Sequence, residues 1–351
     1  MGIRAATFTK FKDITRSKRG RYLVDRLIPA ADLTVVWGDA KCGKTFWVLD
    51  LAMHVAAGRE YRGRKVIGGA VFYCTFEGAE AFPDRVFSVS ESLGLREVDI
   101  PFYYSRDKII FTKLQKSDLI IDGIKSSLLD DTACQLVVLD TLNRSLEGSE
   151  SSDEDMTHYT RCAEAISVQL GCAVIIIHHS GLDKSRPRGH TSLTGTCAAQ
   201  IRVSRSNTGA IVPGQPMLIS SRVEFMKDGP EGLELFSWSR QVDVGVDEDG
   251  LPIDSCYIEE APAPDGKAGF GMKGKSQQIL SVLQELYADA VEEYVILSAW
   301  KAACVNIRLS SSRKKGAHER AFYRAYDDLK ETGKITVAGN RVSLTTPDDP
   351  K

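Results

Sequence analysis

Gly38-Asp39-Ala40-Lys41-Cys42-Gly43-Lys44-Thr45 is a complete phosphate-binding loop of the form G-x-x-x-x-G-K-[ST]. The stretch before it, Leu33-Thr34-Val35-Val36-Trp37, reads as a buried strand. The stretch after it, Thr45 to Ala57, carries Phe46, Val48, Leu49, Leu51, Ala52 and Val55 in a continuous apolar helix pattern. Strand, glycine loop and helix in that order are the context the motif requires. Its glycines let backbone N–H groups close around a phosphate, and the helix N-terminus adds positive partial charge. Lys44 is expected to reach the β- and γ-phosphates, and the Thr45 hydroxyl to face Mg²⁺. The loop, with Phe46 behind it, predicts a nucleoside triphosphate site.

Composition narrows what surrounds that site. A chain of 351 residues suggests about two domains. Its formal charge of −2 advertises no global attraction to polyanions, so any basic surface must be local. Eight cysteines are scattered without a C-x-x-C pair or a zinc spacing and read as reduced thiols of a cytoplasmic protein. Cys42, inside the loop, is expected to make nucleotide binding sensitive to alkylation. No apolar run is long enough to span a membrane, and no signal peptide is evident.

Residues 1–30 form a basic, turn-rich lead-in. From 31 to 258 apolar strands alternate with helical segments, clearest at Thr34–Trp37, Gly69–Phe76, Leu136–Leu139 and Cys172–Ile177. That alternation predicts an α/β domain with a parallel sheet covered on both faces. A later set, Gln200–Val203, Met217–Ser221 and Leu233–Ser237, reads as antiparallel. Residues 259–276 have the Pro, Gly and charge of a linker. A second, smaller domain spans 277–345, and 346–351 are a tail.

The other strands place chemistry at their ends. Leu136-Val137-Val138-Leu139 runs into Asp140, where a carboxylate holds the metal in phosphate-loop enzymes. No acid follows Asp140, so the water-activating base must come from elsewhere. Strand 70–76 ends in Glu77-Gly78, and a carboxylate at the end of a neighbouring parallel strand faces the same crevice. Glu77 is therefore the expected general base. The strand Cys172–Ile177 ends in His178-His179-Ser180. Adjacent histidines on a strand point to opposite faces, which argues against a zinc pair. One of them is expected to sense the γ-phosphate, and the sequence leaves open which.

Four ordered segments carry a family resemblance: Asp-Ala-Lys-Cys-Gly-Lys-Thr, Tyr-Cys-Thr-Phe-Glu-Gly, Val-Val-Leu-Asp-Thr-Leu-Asn-Arg and Ile-Ile-Ile-His-His-Ser-Gly. Over about residues 20–245 the chain resembles the RepA-type ATPases of plasmids and phages, members of the RecA/DnaB superfamily of hexameric helicases. The resemblance implies a RecA-like fold, a homo-hexamer, a catalytic role for Glu77, a sensor at His178 or His179, and Arg85 near the phosphates. It also implies a cation reaching across a subunit interface. Lys227, in Val223-Glu224-Phe225-Met226-Lys227-Asp228-Gly229-Pro230, matches the second basic residue of the helicase pair, while Phe225 replaces the first. Arg202, Arg205 and Arg222 are rivals for that role. In the same family the segment after the sensor strand, Gly181 to Ser192, lines a central channel and grips single-stranded DNA, which assigns Lys184, Arg186 and Arg188 to the backbone. The acidic run Glu147–Asp155 would repel phosphates and is expected to face solvent or another subunit.

Residues 277–345 read as three helices and a hairpin, the pattern of a winged helix-turn-helix. From 301 to 345 ten Lys/Arg stand against four Asp/Glu. Arg313, Lys314, Lys315, Arg320 and Arg324 cluster where a recognition helix would begin, and Arg341 lies on the wing. Phosphate contact is the direct reading, and a partner-docking module the plainer one. The whole sequence thus predicts a RecA-like phosphate-loop α/β domain with a winged-helix appendage. Its expected activity is an ATP- and Mg²⁺-dependent DNA helicase or translocase in plasmid or phage replication. The alternatives are an ATP-switched DNA-binding regulator or loader without unwinding, and a filament-forming recombination ATPase.

Overall fold

The computed structural model describes residues 8–15, 22–111, 115–128, 132–181, 186–189, 192–205, 216–263, 274–288, 294–304, 316–331 and 334–345. Contacts divide the chain into a large unit (Met1–Ser220, Phe225–Gly229, Ser237–Glu260) and a small one (Ser221–Glu224, Pro230–Phe236, Ala261–Lys351). Up to the sensor strand the elements are β1 (Tyr22–Val24), β2 (Ile28–Pro29), β3 (Leu33–Gly38), α1 (Lys44–Ala57), β4 (Ala70–Thr75), α2 (Phe82–Ser92), β5 (Phe102–Ser105), α3 (Gln115–Ser127), β6 (Cys134–Asp140), α4 (Leu142–Ser145), α5 (Asp153–Leu170) and β7 (Ala173–His179). Then follow α6 (Ser192–Thr196), β8 (Ala199–Arg205), β9 (Met217–Met226), β10 (Glu234–Val246) and β11 (Pro252–Ala261). Among the described residues no helix is long and apolar enough to cross a membrane.

The main sheet has the order β11-β10-β9-β8-β3-β7-β6-β4-β5. Six of these strands, β8-β3-β7-β6-β4-β5, pair in parallel. Strands β9 and β10 meet as a hairpin, with Val223 N–H bonded to Leu233 O and Gly232 N–H to Val223 O. The sheet is therefore mixed, and with its covering helices it fits the RecA-like α/β expectation. One strand differs from the sequence reading: Gln200–Val203 lies within β8, which is the sixth parallel strand beside β3 and not part of the antiparallel set. Its residues are buried along the P-loop strand, and that neighbour, not its own pattern, sets its direction.

Period-2 alternation sends side chains to both sheet faces. Leu33, Val35, Trp37, Val137, Leu139, Val174 and Ile176 pack with Ile120, Ile124, Met156, Tyr159 and Ile166 of α3 and α5. On the other side α1 and α2 bring Trp47, Val48, Leu51, Val55 and Val89, all fully buried. Every residue from Val174 to His178 is buried, as a central strand with both faces covered requires.

In the small unit are α7 (Gly274–Ala288), β12 (Val295–Ile296), α8 (Leu297–Ala303), α9 (Ala317–Glu331), β13 (Ile335–Ala338) and β14 (Arg341–Leu344). Their core holds Ile279, Leu283, Trp300, Phe322, Ala325, Leu329 and Val342. Trp300 donates its indole N–H to Ile279 O at 2.6 Å, which satisfies the polar edge of a buried ring. Val295, read from sequence as helical, instead pairs with Val342, so the hairpin becomes a three-stranded β12-β14-β13 sheet. The β-branched pair Val295-Ile296 suits an extended edge, and the helix begins only at Leu297. Around the sequence-read linker, β11 runs through to Ala261 and α7 starts at Gly274; residues 264–273 lie outside the described residues.

Because Ile176 is fully buried in the strand between β3 and β6, its truncation leaves a cavity that neighbouring backbone cannot fill. Ile176→Ala is expected to cost about 2–5 kcal/mol. Urea denaturation followed by far-UV circular dichroism should show the midpoint of the large unit's transition fall accordingly.

Candidate nucleotide site

The phosphate loop connects β3 to α1, and its close packing explains its glycines. A Cβ on Gly38 would collide with the Val203 carbonyl of β8, and one on Gly43 with the Ile219 side chain of β9. Gly43 also has φ 97°, in the left-handed region that favours glycine. Lys44 is buried, and its ammonium donates to Gly38 O at 3.0 Å and Asp39 O at 2.7 Å. The Ser180 hydroxyl donates to Asp39 Oδ1, and the Arg205 guanidinium donates to Lys41 O, so the loop is tied down from β7 and β8. Cys42 corrects an expectation: it is 1% exposed, its thiol donates to Val203 O at 3.2 Å, and burial pushes its pKa up. A thiol in that state resists alkylation.

Asp140 completes the centre. Its Oδ2 accepts from Thr45 Oγ1 at 2.9 Å and from Tyr73 OH at 2.8 Å. Burial raises its pKa, opposed by those two donors and by the charges of Arg85 and Lys44. Glu77 follows β4, one strand over, and Thr75 pairs with Asp140 in register. That register sets the Thr141 hydroxyl 3.3 Å from Glu77 Oε2, to which it donates. Arg144 Nε stands 3.9 Å from the same carboxylate oxygen, which remains largely exposed to the crevice. The Arg85 guanidinium lies 5.7 Å above the Phe46 ring.

The two histidines separate as strand geometry demands. His178 pairs with Trp37 in register and His179 with Gly38. His178 is fully buried and its Nε2 bonds Arg188 O at 2.7 Å; a carbonyl only accepts, so Nε2 carries the proton. His179 is half-buried and faces the crevice, and burial followed by the Lys44 ammonium lowers its pKa. A cavity of 380 Å³ gathers Lys41, Cys42, Gly43, Lys44, Thr45, Phe46, Glu77, Arg85, Asp140, Thr141, His179 and Arg205, closed on one side by Met217, Ser239 and Cys256. Four cations face two carboxylates there, which suits an anionic polyphosphate carrying a divalent cation. The Thr45 hydroxyl and Asp140 carboxylate are hard oxygen donors of the kind Mg²⁺ takes. Among the described residues no group of three His, Cys, Asp or Glu could hold a metal, so phosphate oxygens and water must supply the remaining ligands.

Other sequence-read residues lie elsewhere. Lys227 follows β9, and its N–H bonds Ala198 O, whose own N–H bonds Leu33 O. It therefore sits beside the start of β3, at the opposite end of the sheet from the phosphates of its own chain. Arg205 holds the loop, Arg202 stacks 5.3 Å above Trp37, and Arg222 is exposed. Arg186 and Arg188 are exposed on the segment after β7, but Arg188 is ion-paired with Glu150 at 2.8 Å. The acidic run also departs from expectation. Glu150 is buried, and Asp153, Glu154 and Asp155 form the first turn of α5, where carboxylates complement the helix dipole. Arg320 and Arg324 are exposed on α9, and Arg341 lies 4.4 Å above the Tyr294 ring. Lys184, Arg313, Lys314 and Lys315 lie outside the described residues. Sequence reasoning missed Tyr73 and Thr141; a buried tyrosine hydroxyl that needs a partner was the available signal for the first.

A family model described as the AAA domain matches residues 4–185, just over half of the chain. The chain belongs to this AAA-domain family. It is accordingly a phosphate-loop ATPase, and the matched AAA domain contains the loop, Glu77, Asp140 and both histidines. None of the curated proteins matches the chain. Among solved structures it is similar to the RadB recombinase, at 19% identity over 66% of this chain and 91% of that one, with a TM-score of 0.42. It is also similar to the ATPase domain of a DnaB-like helicase, at 12% identity over 64% of this chain and 84% of that one, with a TM-score of 0.46.

The Asp140 environment has a thermodynamic consequence. A carboxyl whose pKa rises on folding binds protons more tightly in the folded state, so its ionisation erodes stability as pH climbs above its ordinary 3.8. Asp140→Asn is expected to melt at higher temperature than the parent at pH 7, with the gap narrowing toward pH 4, while losing hydrolysis. Paired thermal melts across that pH range check the sign.

Proposed function

We propose that this ATPase is a RepA/DnaB-like DNA helicase or translocase of plasmid or phage replication, working as a homo-hexamer that hydrolyses ATP at subunit interfaces. The observation that carries the catalytic part is the Thr45–Asp140 hydrogen bond beside an exposed Glu77 in one charged cavity. Thr45 and Asp140 would hold Mg²⁺, which when bound neutralises charge on the β- and γ-phosphate oxygens. Lys44 leaves its loop carbonyls for those phosphates, and Arg85 adds charge from α2. Glu77 takes a proton from water as the water oxygen attacks the γ-phosphorus and the bridging P–O bond breaks, giving ADP and inorganic phosphate. Thr141 and Arg144 hold the Glu77 carboxylate in place.

His179, the histidine in the cavity, is the proposed phosphate sensor, and His178 anchors the adjoining loop. Lys227, far from the phosphates of its own chain, is the proposed cation for a neighbour's site. A lysine presents a point charge there and not a guanidinium fork. The segment 181–192 is the proposed DNA-tracking loop. The small unit's three helices and three-stranded sheet support a winged-helix reading, with exposed Arg320, Arg324 and Arg341 as phosphate contacts. One observation favours the second reading, an ATP-switched regulator without unwinding: Arg188, a channel cation, is already neutralised by Glu150.

ATP turnover with and without single-stranded DNA, followed by a forked-duplex unwinding assay, tests the proposal. Glu77→Gln is expected to lower kcat by about 10²–10⁴ with KM little changed. DNA should stimulate the parent, and forks should open in an ATP-dependent manner. Turnover indifferent to DNA, with forks left closed, would reject the motor in favour of the switch.

A further inference from the structure

Glu150 plays no part in the nucleotide site, yet it is the best-connected carboxylate of the acidic run. Its side chain is 7% exposed, and a buried carboxylate demands partners. Oε1 accepts from Asn143 Nδ2 at 2.8 Å, and Oε2 lies 2.8 Å from Arg188 Nε. Gly189 packs so closely on the Glu150 backbone that an added Cβ would strike its carbonyl. Each partner leads toward the cavity. Asn143 is two residues beyond Thr141, whose hydroxyl bonds Glu77. Arg188 is pinned to the end of β7 on both sides of its peptide: its N–H bonds His179 O at 2.9 Å, and its carbonyl accepts from His178 at 2.7 Å. A single carboxylate thus bridges the turn after the Asp140 strand and the loop after the histidine strand.

The two ends of the ion pair are unequal. Arg188 is 58% exposed and faces solvent over most of its length, whereas Glu150 is enclosed. Guanidinium binds phosphate in the same planar, forked manner as carboxylate, so an approaching phosphodiester competes directly for it. Displacement moves the peptide that both histidines hold. We propose that Glu150 is a positioning residue: it holds the Arg188 guanidinium, and with it the 186–189 loop, against the strand-end histidines until the phosphates of single-stranded DNA take that guanidinium over. This rests on the DNA reading of the loop given above.

The test measures binding of a fluorescent oligo-dT to the full chain by anisotropy over a salt series. The proteins are the parent, Glu150→Gln, Arg188→Ala, the double variant and Glu147→Gln. Glutamine keeps the acceptor for Asn143 and strands no buried charge, because the cation it releases is solvated. Freeing one guanidinium adds one phosphate contact, so the slope of log K on log salt steepens by about 0.7. Affinity near 0.1 M salt should then rise roughly fivefold. Glu147, exposed in the same run, controls for simple loss of a negative charge, and Glu147→Gln should leave the slope unchanged. In the Arg188→Ala background Glu150→Gln should have no effect. If the parent binds DNA and Glu150→Gln changes neither affinity nor slope, the clamp is overturned while the DNA reading stands. A gain that persists without Arg188 also overturns the clamp. Failure of the parent and Glu150→Gln alike to bind overturns both, and binding that appears only in Glu150→Gln supports the clamp in its strongest form.

Discussion

Everything at the nucleotide site depends on consecutive parallel strands ending along one edge. The loop follows β3, His179 ends β7, Asp140 ends β6 and Glu77 follows β4, and these strands are neighbours in that order. Parallel pairing at about 4.8 Å between strands converts this order into a row of functional groups spaced for one polyphosphate. The Thr45–Asp140 hydrogen bond of 2.9 Å spans from the loop across β7, and it forms because α1 starts directly at the loop. No loop has to be long or adaptable for the set to assemble. The sheet's register does the positioning, which is why the core strands are buried on both faces.

This row explains how much the sequence could reveal. An apolar run of five or six residues that stops at a polar group is legible without a structure, so the loop, Glu77, Asp140 and the two histidines stand out. Choosing between the histidines needs the register against β3, because alternation says only that they face opposite ways. The edge strand β5 went unread because its residues are only half-buried and show neither a continuous apolar run nor clean alternation. β8 was seen as a strand but not as a parallel one, since direction is a property of the neighbour. Val295 was assigned to a helix because its neighbours Leu297 and Trp300 are helically spaced, and its pairing with Val342 is a long-range contact.

Charge was harder to read than apolarity. The run Glu147–Asp155 looks uniform as sequence, yet it divides into a helix N-terminus, where Asp153, Glu154 and Asp155 meet the dipole, and a buried bridging carboxylate at Glu150. Composition sums such charges and hides that division. The reverse holds for Arg205, which has the residue type of a trans-acting finger but spends its guanidinium on the Lys41 carbonyl of its own loop.

Asp140 shows where function overrides stability. A carboxylate buried between Tyr73 and Thr45 is destabilising by desolvation alone, and an apolar or amide residue would suit the fold better. Two hydroxyl donors and two nearby cations soften that cost without removing it. Such a group persists because the incoming ligand brings its own charges: a magnesium-bound polyphosphate turns the unfavourable carboxylate into a ligand. The same logic fits Lys44, which rests on two loop carbonyls that satisfy its donors yet carry no countercharge. Both groups are thereby arranged so that their strongest interactions are reserved for the nucleotide, and the preorganised sheet edge keeps the reorganisation needed to make them small.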